Sequence, residues 1–141
     1  MKIKHYKFQE HGDERGHLSV IEENMDIPFE IKRVYYLYDT QKDVVRGLHA
    51  HKTLEQILVC VSGSCMIKLD DGNEVVDVML DDPTKGLYVG SMIWREMYDF
   101  SDNAVLLVMA SELYNENDYI RDYNEFLSFK KNDSLKRNCK I

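Results

Sequence analysis

Two histidines, His49 and His51, stand one residue apart in the stretch Arg46-Gly47-Leu48-His49-Ala50-His51-Lys52. In an extended strand, residues two apart point to the same face. Both imidazoles therefore project together into whatever that face encloses, about 6–7 Å apart by strand rise. Imidazole is the side chain most readily tuned for proton transfer near neutral pH. A pair on one wall can act as base and acid toward two adjacent atoms. A polar strand edge carrying two surface histidines is the plainer alternative. Against it, the pair follows a glycine and precedes an apolar run, Ile57 to Val61, that ends at the turn Ser62-Gly63-Ser64. Four arginines, Arg15, Arg33, Arg46 and Arg95, lie beside apolar strand residues, and Tyr35, Tyr36 and Trp94 are near them in sequence. Singly, each reads as a solvated face, a salt bridge or core. Together they suit a phosphate and a planar base, one held by guanidinium and the other by stacking. Arg46 falls on the opposite pleat from His49 in an ideal strand, and a bulge at Gly47 would bring it round.

Short strands must carry these residues. Apolar alternation and β-branched or aromatic runs predict strands near 2–8, 17–22, 32–38, 44–51, 56–61, 65–69, 74–80, 87–89, 92–97 and 104–111. Turn chemistry separates them at His11–Gly16, at Asp70-Asp71-Gly72-Asn73 and at Ser101-Asp102-Asn103. Tyr119, Ile120, Tyr123, Phe126 and Leu127 recur at helical spacing, which predicts a helix over about 117–131 and a frayed tail from about Asn132. About ten strands with turns every eight to twelve residues predict an all-β sandwich or small barrel of the jelly-roll type, its core spanning about 3–113, within one domain over 1–141. A small barrel can hold a ligand inside, with the two histidines on one wall.

The bulk composition narrows the partners. A net charge of −7 argues against nucleic acid, which needs a basic face, yet leaves room for a local basic pocket that takes a phosphorylated small molecule. The three cysteines, Cys60, Cys65 and Cys139, form no CxxC, and buried free thiols in a reducing compartment follow. The N-terminal stretch is polar and charged and no run approaches the length of a membrane span, so the expectation is a cytoplasmic protein without membrane contact.

The spacing His49-x-His51, four residues, Gln56, six residues, Gly63 resembles the first motif of the cupin superfamily of jelly rolls, where the glutamine position is a glutamate. Glu55 is one residue off and would face the other way. The counterpart of the second cupin motif, Gly90 to Glu96, has no histidine, and the remaining histidines are His5, His11 and His17. A divalent site wants three or four ligands, and Arg95 in the metal position would oppose one, so neither metal nor cofactor is expected.

Arg46-Gly47-Leu48-His49 is similar to the motif of the nucleotide-sugar 3,5-epimerases, which are metal-free cupins. A longer pattern resembles the TDP-sugar 3,4-ketoisomerases: RGLHAHK, LEQILVCVSGSC, LDDG, GLYVG, W-x-EM-x-DF and DYIRDY, from about Arg15 to Tyr123. That resemblance implies a jelly-roll cupin that forms a homodimer with exchanged strands. It implies TDP-4-keto-6-deoxy-D-glucose as substrate and a TDP-3-keto-6-deoxyhexose as product, galacto favoured over gluco at C4, with Arg15 and Arg95 near that choice. His49 and His51 take the acid/base role, His49 as the base and His51 as its partner, and Arg46 takes the pyrophosphate. A PLP-dependent aminotransferase would then make a 3-amino sugar for surface glycans such as O-antigen lipopolysaccharide. The chemistry suits the residues, because moving a ketone from C4 to C3 through an enediol needs no redox cofactor. A non-catalytic cupin that binds a small ligand, or a metal-dependent cupin enzyme, is the alternative.

Overall fold

Alternation decides what each strand contributes to the interior. The computed structural model describes residues 1–138; Cys139 lies outside them. The strands are β1 (His5–Lys7), β2 (Gln9–Asp13), β3 (Gly16–Val20), β4 (Arg33–Leu37), β5 (Arg46–His51), β6 (Gln56–Ser62), β7 (Cys65–Asp70), β8 (Val75–Leu80), β9 (Lys85–Val89), β10 (Trp94–Tyr98), β11 (Val105–Ala110) and β12 (Tyr119–Ile120), followed by helix α1 (Tyr123–Asn138). One five-stranded sheet runs β1-β9-β6-β11-β4 and a second runs β12-β5-β10-β7-β8, with β2 and β3 forming a separate hairpin. All of the pairings are antiparallel.

The two sheets close on each other through Leu58, Cys60, Leu87, Leu106 and Val108 from the first and Cys65, Ile67, Leu69, Leu80 and Met97 from the second. The intervening residues point outward and are covered. Ile57, Val59 and Met109 meet Phe8, Ile27 and Phe29 on one outer face. Ala50, Trp94 and Ile120 meet Phe126 of α1 on the other. Both faces of the central strands are thus buried, which is why β6 and β11 read as continuous apolar runs. This is the all-β jelly roll with a C-terminal helix that the sequence predicts. No described helix is long and apolar enough to cross a membrane.

Two local predictions are corrected. The stretch His11–Gly16 is the end of a β-hairpin, Asp13 pairing with Gly16, and the hairpin is almost wholly exposed. The helix does not begin near 117. Glu116–Asp118 is a single 3-10 turn, and Tyr119 and Ile120 pair with His51 and Ala50 as β12. Their side chains go to opposite faces, Ile120 into the cluster under α1 and Tyr119 toward the histidines. The 3.6-residue spacing there coincides with a two-residue alternation. Asp122 marks the true start, since its side chain accepts from the backbone N–H of Glu125 at 2.9 Å in the manner of an N-cap. The helix also continues through the segment expected to fray, to Asn138.

Candidate functional site

The cavity forms because the sandwich interior changes from apolar to polar at one end. There the inward positions are Arg33 and Tyr35 on β4, Gln56 on β6, Arg95 on β10, His49 and His51 on β5 and Tyr119 on β12. The space is about 530 Å³ and is lined by Arg33, Tyr35, Arg46, His49, Tyr119 and Arg121, among others.

A bulge puts Arg46 in this set. Along β10, His49 pairs with Arg95, Gly47 with Glu96 and Arg46 with Met97. Arg95 and Met97 share a face, so Arg46 and His49 do too, and Leu48 is the extra residue. Leu48 has φ +56° and is partly exposed, while Gly47 has φ +87°. A Cβ on Gly47 would lie 3.2 Å from the Arg95 carbonyl oxygen. The bulge therefore relies on a glycine at 47.

The histidine rings are closer than the strand rise suggests, with centroids 4.9 Å apart and nearly perpendicular planes. The Tyr119 ring packs on both, 5.0 Å from His49 and 4.4 Å from His51. His49 Nδ1 is 2.9 Å from the Gly47 carbonyl oxygen. A carbonyl only accepts, so Nδ1 of His49 carries the proton and donates it. Nε2 of His49 and Nε2 of His51 are buried and without a hydrogen-bond partner among the described residues. Neutral imidazole has one proton to place, which leaves Nε2 of His49 as a bare lone pair.

Burial holds both rings neutral. It pushes His49 down to about 4 and His51 down to about 3, and the Arg95 guanidinium is the next cause in each case. Arg95 is itself fully buried. It donates through Nη1 to Gln56 Oε1 and through Nη2 to the Ile93 carbonyl oxygen at 2.9 Å. Gln56 in turn donates to the Tyr35 hydroxyl at 2.9 Å. Burial draws Arg95 down to about 10, so it keeps its charge at neutral pH.

The cupin metal position does not suit a divalent ion here. Gln56, which stands where the motif has glutamate, is engaged by a buried guanidinium, and that charge repels a cation. Among the described residues no group of three or more His, Cys, Asp or Glu is placed to hold a metal.

The neutral histidines link folding to pH. Both have folded pKa values below the unfolded value of about 6.5. Their contribution is complete above that value and is lost as pH falls through it toward about 4, because the unfolded chain then takes up protons that the folded chain refuses. Each histidine steepens the loss by about 1.4 kcal/mol per pH unit. Urea melts between pH 7 and pH 5 should show that slope, and the double variant H49N/H51N should flatten it.

Known proteins match the chain over nearly its whole length. The family described as FdtA: WxcM-like, C-terminal matches residues 1–131. The TDP-4-oxo-6-deoxy-alpha-D-glucose-3,4-oxoisomerase of Aneurinibacillus thermoaerophilus is 53% identical over 129 residues, 92% of this chain and 93% of that protein. The chain belongs to the TDP-sugar 3,4-ketoisomerase family. Among solved structures of ketoisomerases, a mutant of QdtA from Thermoanaerobacterium thermosaccharolyticum in complex with TDP-4-keto-6-deoxyglucose superposes with a TM-score of 0.90 at 47% identity, over 92% of this chain and 94% of that one. The WlaRB TDP-quinovose 3,4-ketoisomerase from Campylobacter jejuni gives 0.85 at 49% identity, over 89% and 97%.

Of the residues singled out in the sequence, His49, Arg33, Tyr35 and Arg46 line the cavity, His51 stands beside His49 and Arg95 lies buried next to both. Two are elsewhere. Trp94 points to the other face of β10, packs on Tyr123 and Phe126 at centroid distances of 5.2 and 5.9 Å, and donates from Nε1 to Glu96. It is core under α1 and cannot stack on a base. Arg15 sits on the exposed hairpin, paired with Asp13 at 2.7 Å, and does not line this chain's cavity. Asp118, Tyr119 and Arg121 also belong to the site, although the helical spacing does not single them out. Alternation is their signal, since Tyr119 and Arg121 flank Ile120, which is buried on the opposite face under α1, and the helical spacing conceals it. Arg121 lies over the Tyr119 ring at 4.2 Å and is anchored by Glu116 at 2.8 Å.

Proposed function

We propose that this protein is a sugar-nucleotide 3,4-ketoisomerase that converts TDP-4-keto-6-deoxy-D-glucose to a TDP-3-keto-6-deoxyhexose. The observation that carries this reading is the pair of neutral, buried imidazoles with unpartnered Nε2 atoms beside a buried guanidinium, in a family whose relatives carry that activity. Nε2 of His49 removes the proton from C3, and the C3–H electrons form the C3–C4 double bond while the C4 carbonyl becomes an enediolate oxygen. The positive charge of Arg95 favours that anion, as it disfavours protonation of the resting rings. The C3 hydroxyl proton passes to the C4 oxygen, which re-forms a carbonyl at C3 and leaves a hydroxyl at C4, and a proton delivered by a histidinium reaches the C4 carbon. Protons and electrons balance within the sugar, so the chain's own residues suffice. His51 is the partner that relays protons at C4 or its oxygen.

Arg46, Arg33 and Arg121 ring the mouth and suit the pyrophosphate, with Arg46 the first choice. Tyr35, whose ring lines the cavity, suits the base. A homodimer is the proposed assembly. The hairpin β2–β3 projects with nearly every residue exposed, and β4 is a free sheet edge bearing the exposed Val34 and Tyr36, which supports strand exchange with a second copy. Single-domain organisation and a cytoplasmic location complete the reading. The buried free thiols of Cys60 and Cys65 suit a reducing compartment. A 3-keto sugar is a substrate for transamination, so a PLP-dependent aminotransferase leading to a 3-amino-3,6-dideoxyhexose for surface glycans is the natural next step.

Incubation with TDP-4-keto-6-deoxyglucose followed by proton NMR tests this. A 3-keto product is expected, and the coupling between H4 and H5 separates galacto, the expected configuration, from gluco. Tight TDP binding with no product would make the protein a nucleotide-sugar binder.

A further inference from the structure

Asp118 lies at the end of the 3-10 turn, just before β12, with a side chain only 10% exposed. Its two carboxylate oxygens do different work. Oδ1 accepts from the Thr53 backbone N–H at 2.9 Å and from the Thr53 hydroxyl at 3.0 Å. Oδ2 is 3.1 Å from Nδ1 of His51. The Asp118 carbonyl accepts from the Lys52 N–H at 3.0 Å, so the residue is fixed to the end of β5 through its main chain as well.

We infer that Asp118 is a positioning residue for the isomerase, holding His51 as the Nδ1–H tautomer so that its Nε2 lone pair faces the cavity. The inference rests on the proposed ketoisomerase activity for its consequence in turnover, though not for the tautomer itself. An ionised carboxylate can only accept, so Nδ1 of His51 must donate. With the proton there, the buried and unpartnered Nε2 is bare. His51 thereby matches His49, whose Nδ1 proton is committed to the Gly47 carbonyl. The resting site has two lone pairs and no imidazole proton aimed at the sugar. Whichever ring first takes a proton becomes the acid of the pair.

The substitution D118N isolates this. The asparagine carbonyl oxygen can still accept both Thr53 bonds, and the main-chain bond from Lys52 is unaffected. Its amide would now donate to Nδ1 of His51, which moves the ring proton to Nε2. The fold survives while the tautomer reverses. In the uniformly labelled full-length protein, the imidazole nitrogen shifts of His51 at neutral pH are expected to show a protonated Nδ1 and a bare Nε2, and D118N is expected to exchange them. With TDP-4-keto-6-deoxyglucose, D118N should lose about 10²-fold or more in kcat, with KM within about threefold, as expected when a base is held in the wrong tautomer. T53A, which removes one bond to the other carboxylate oxygen, should keep the tautomer and most of kcat. A wild-type His51 protonated at Nε2, or a D118N variant that keeps both the wild-type tautomer and kcat, overturns the inference. If the wild type turns over no sugar, the nitrogen shifts alone still decide it.

Discussion

H49N is expected to lose about 10³-fold in kcat on TDP-4-keto-6-deoxyglucose while TDP still binds within a few-fold of wild type. The imidazole is the group assigned to take the C3 proton, and asparagine has no lone pair basic enough to replace it. The side-chain amide of asparagine is small enough for the buried site and can still donate to the Gly47 carbonyl oxygen, so the bulge that presents Arg46 should persist. The arginines at the cavity mouth are untouched, and affinity for the diphosphate should follow them. Single-turnover kinetics and TDP titration separate the two effects. Near-normal turnover in H49N with loss in H51N would reverse the roles of the two rings.

F126A should cost about 3–5 kcal/mol of stability, the largest loss foreseen for a single side chain away from the cavity. Phe126 is fully buried and packs with Ala50, Trp94 and Ile120, its ring 5.9 Å from the indole of Trp94. Ala50 lies between the two histidines on β5, and Ile120 follows Tyr119 on β12. The cavity left by the phenyl ring would therefore open directly behind the strand that carries the two histidines. A fall in Tm of about 10–17 °C is expected for a chain of this size, and thermal inactivation should follow the same curve. L135A, on the exposed face of the same helix, should change stability by no more than about 0.5 kcal/mol.

The part of this site that was legible in the sequence was the part written in a two-residue period on long strands. His49 and His51 share a face because β5 is extended, and the closely spaced apolar runs of β6 and β11 announced a sheet buried on both sides. Even the bulge at Gly47 and Leu48 could be anticipated, because a glycine stood where Arg46 needed to change face. Trp94 could not be placed that way. It neighbours Arg95, and only the register of β10 shows that the guanidinium faces the histidines while the indole faces α1. Asp118, Tyr119 and Arg121 were illegible for a different reason. A two-residue strand is too short to show its period, and its apolar residues happened to continue the helical spacing of the segment after Asp122. The position of Arg15, on a hairpin that is almost wholly exposed in its own chain, depends on tertiary context that local pattern does not encode.

Turnover in deuterated water is the sharpest test of whether a histidine-driven enolisation moves the ketone. The purified protein would be given TDP-4-keto-6-deoxyglucose in D2O, and the sugar protons followed by NMR. A 3-keto product with deuterium at C4 is expected, formed at a rate that collapses in H49N. Turnover near the wild-type rate in H49N/H51N, with the original C3 hydrogen carried to C4, would contradict that mechanism.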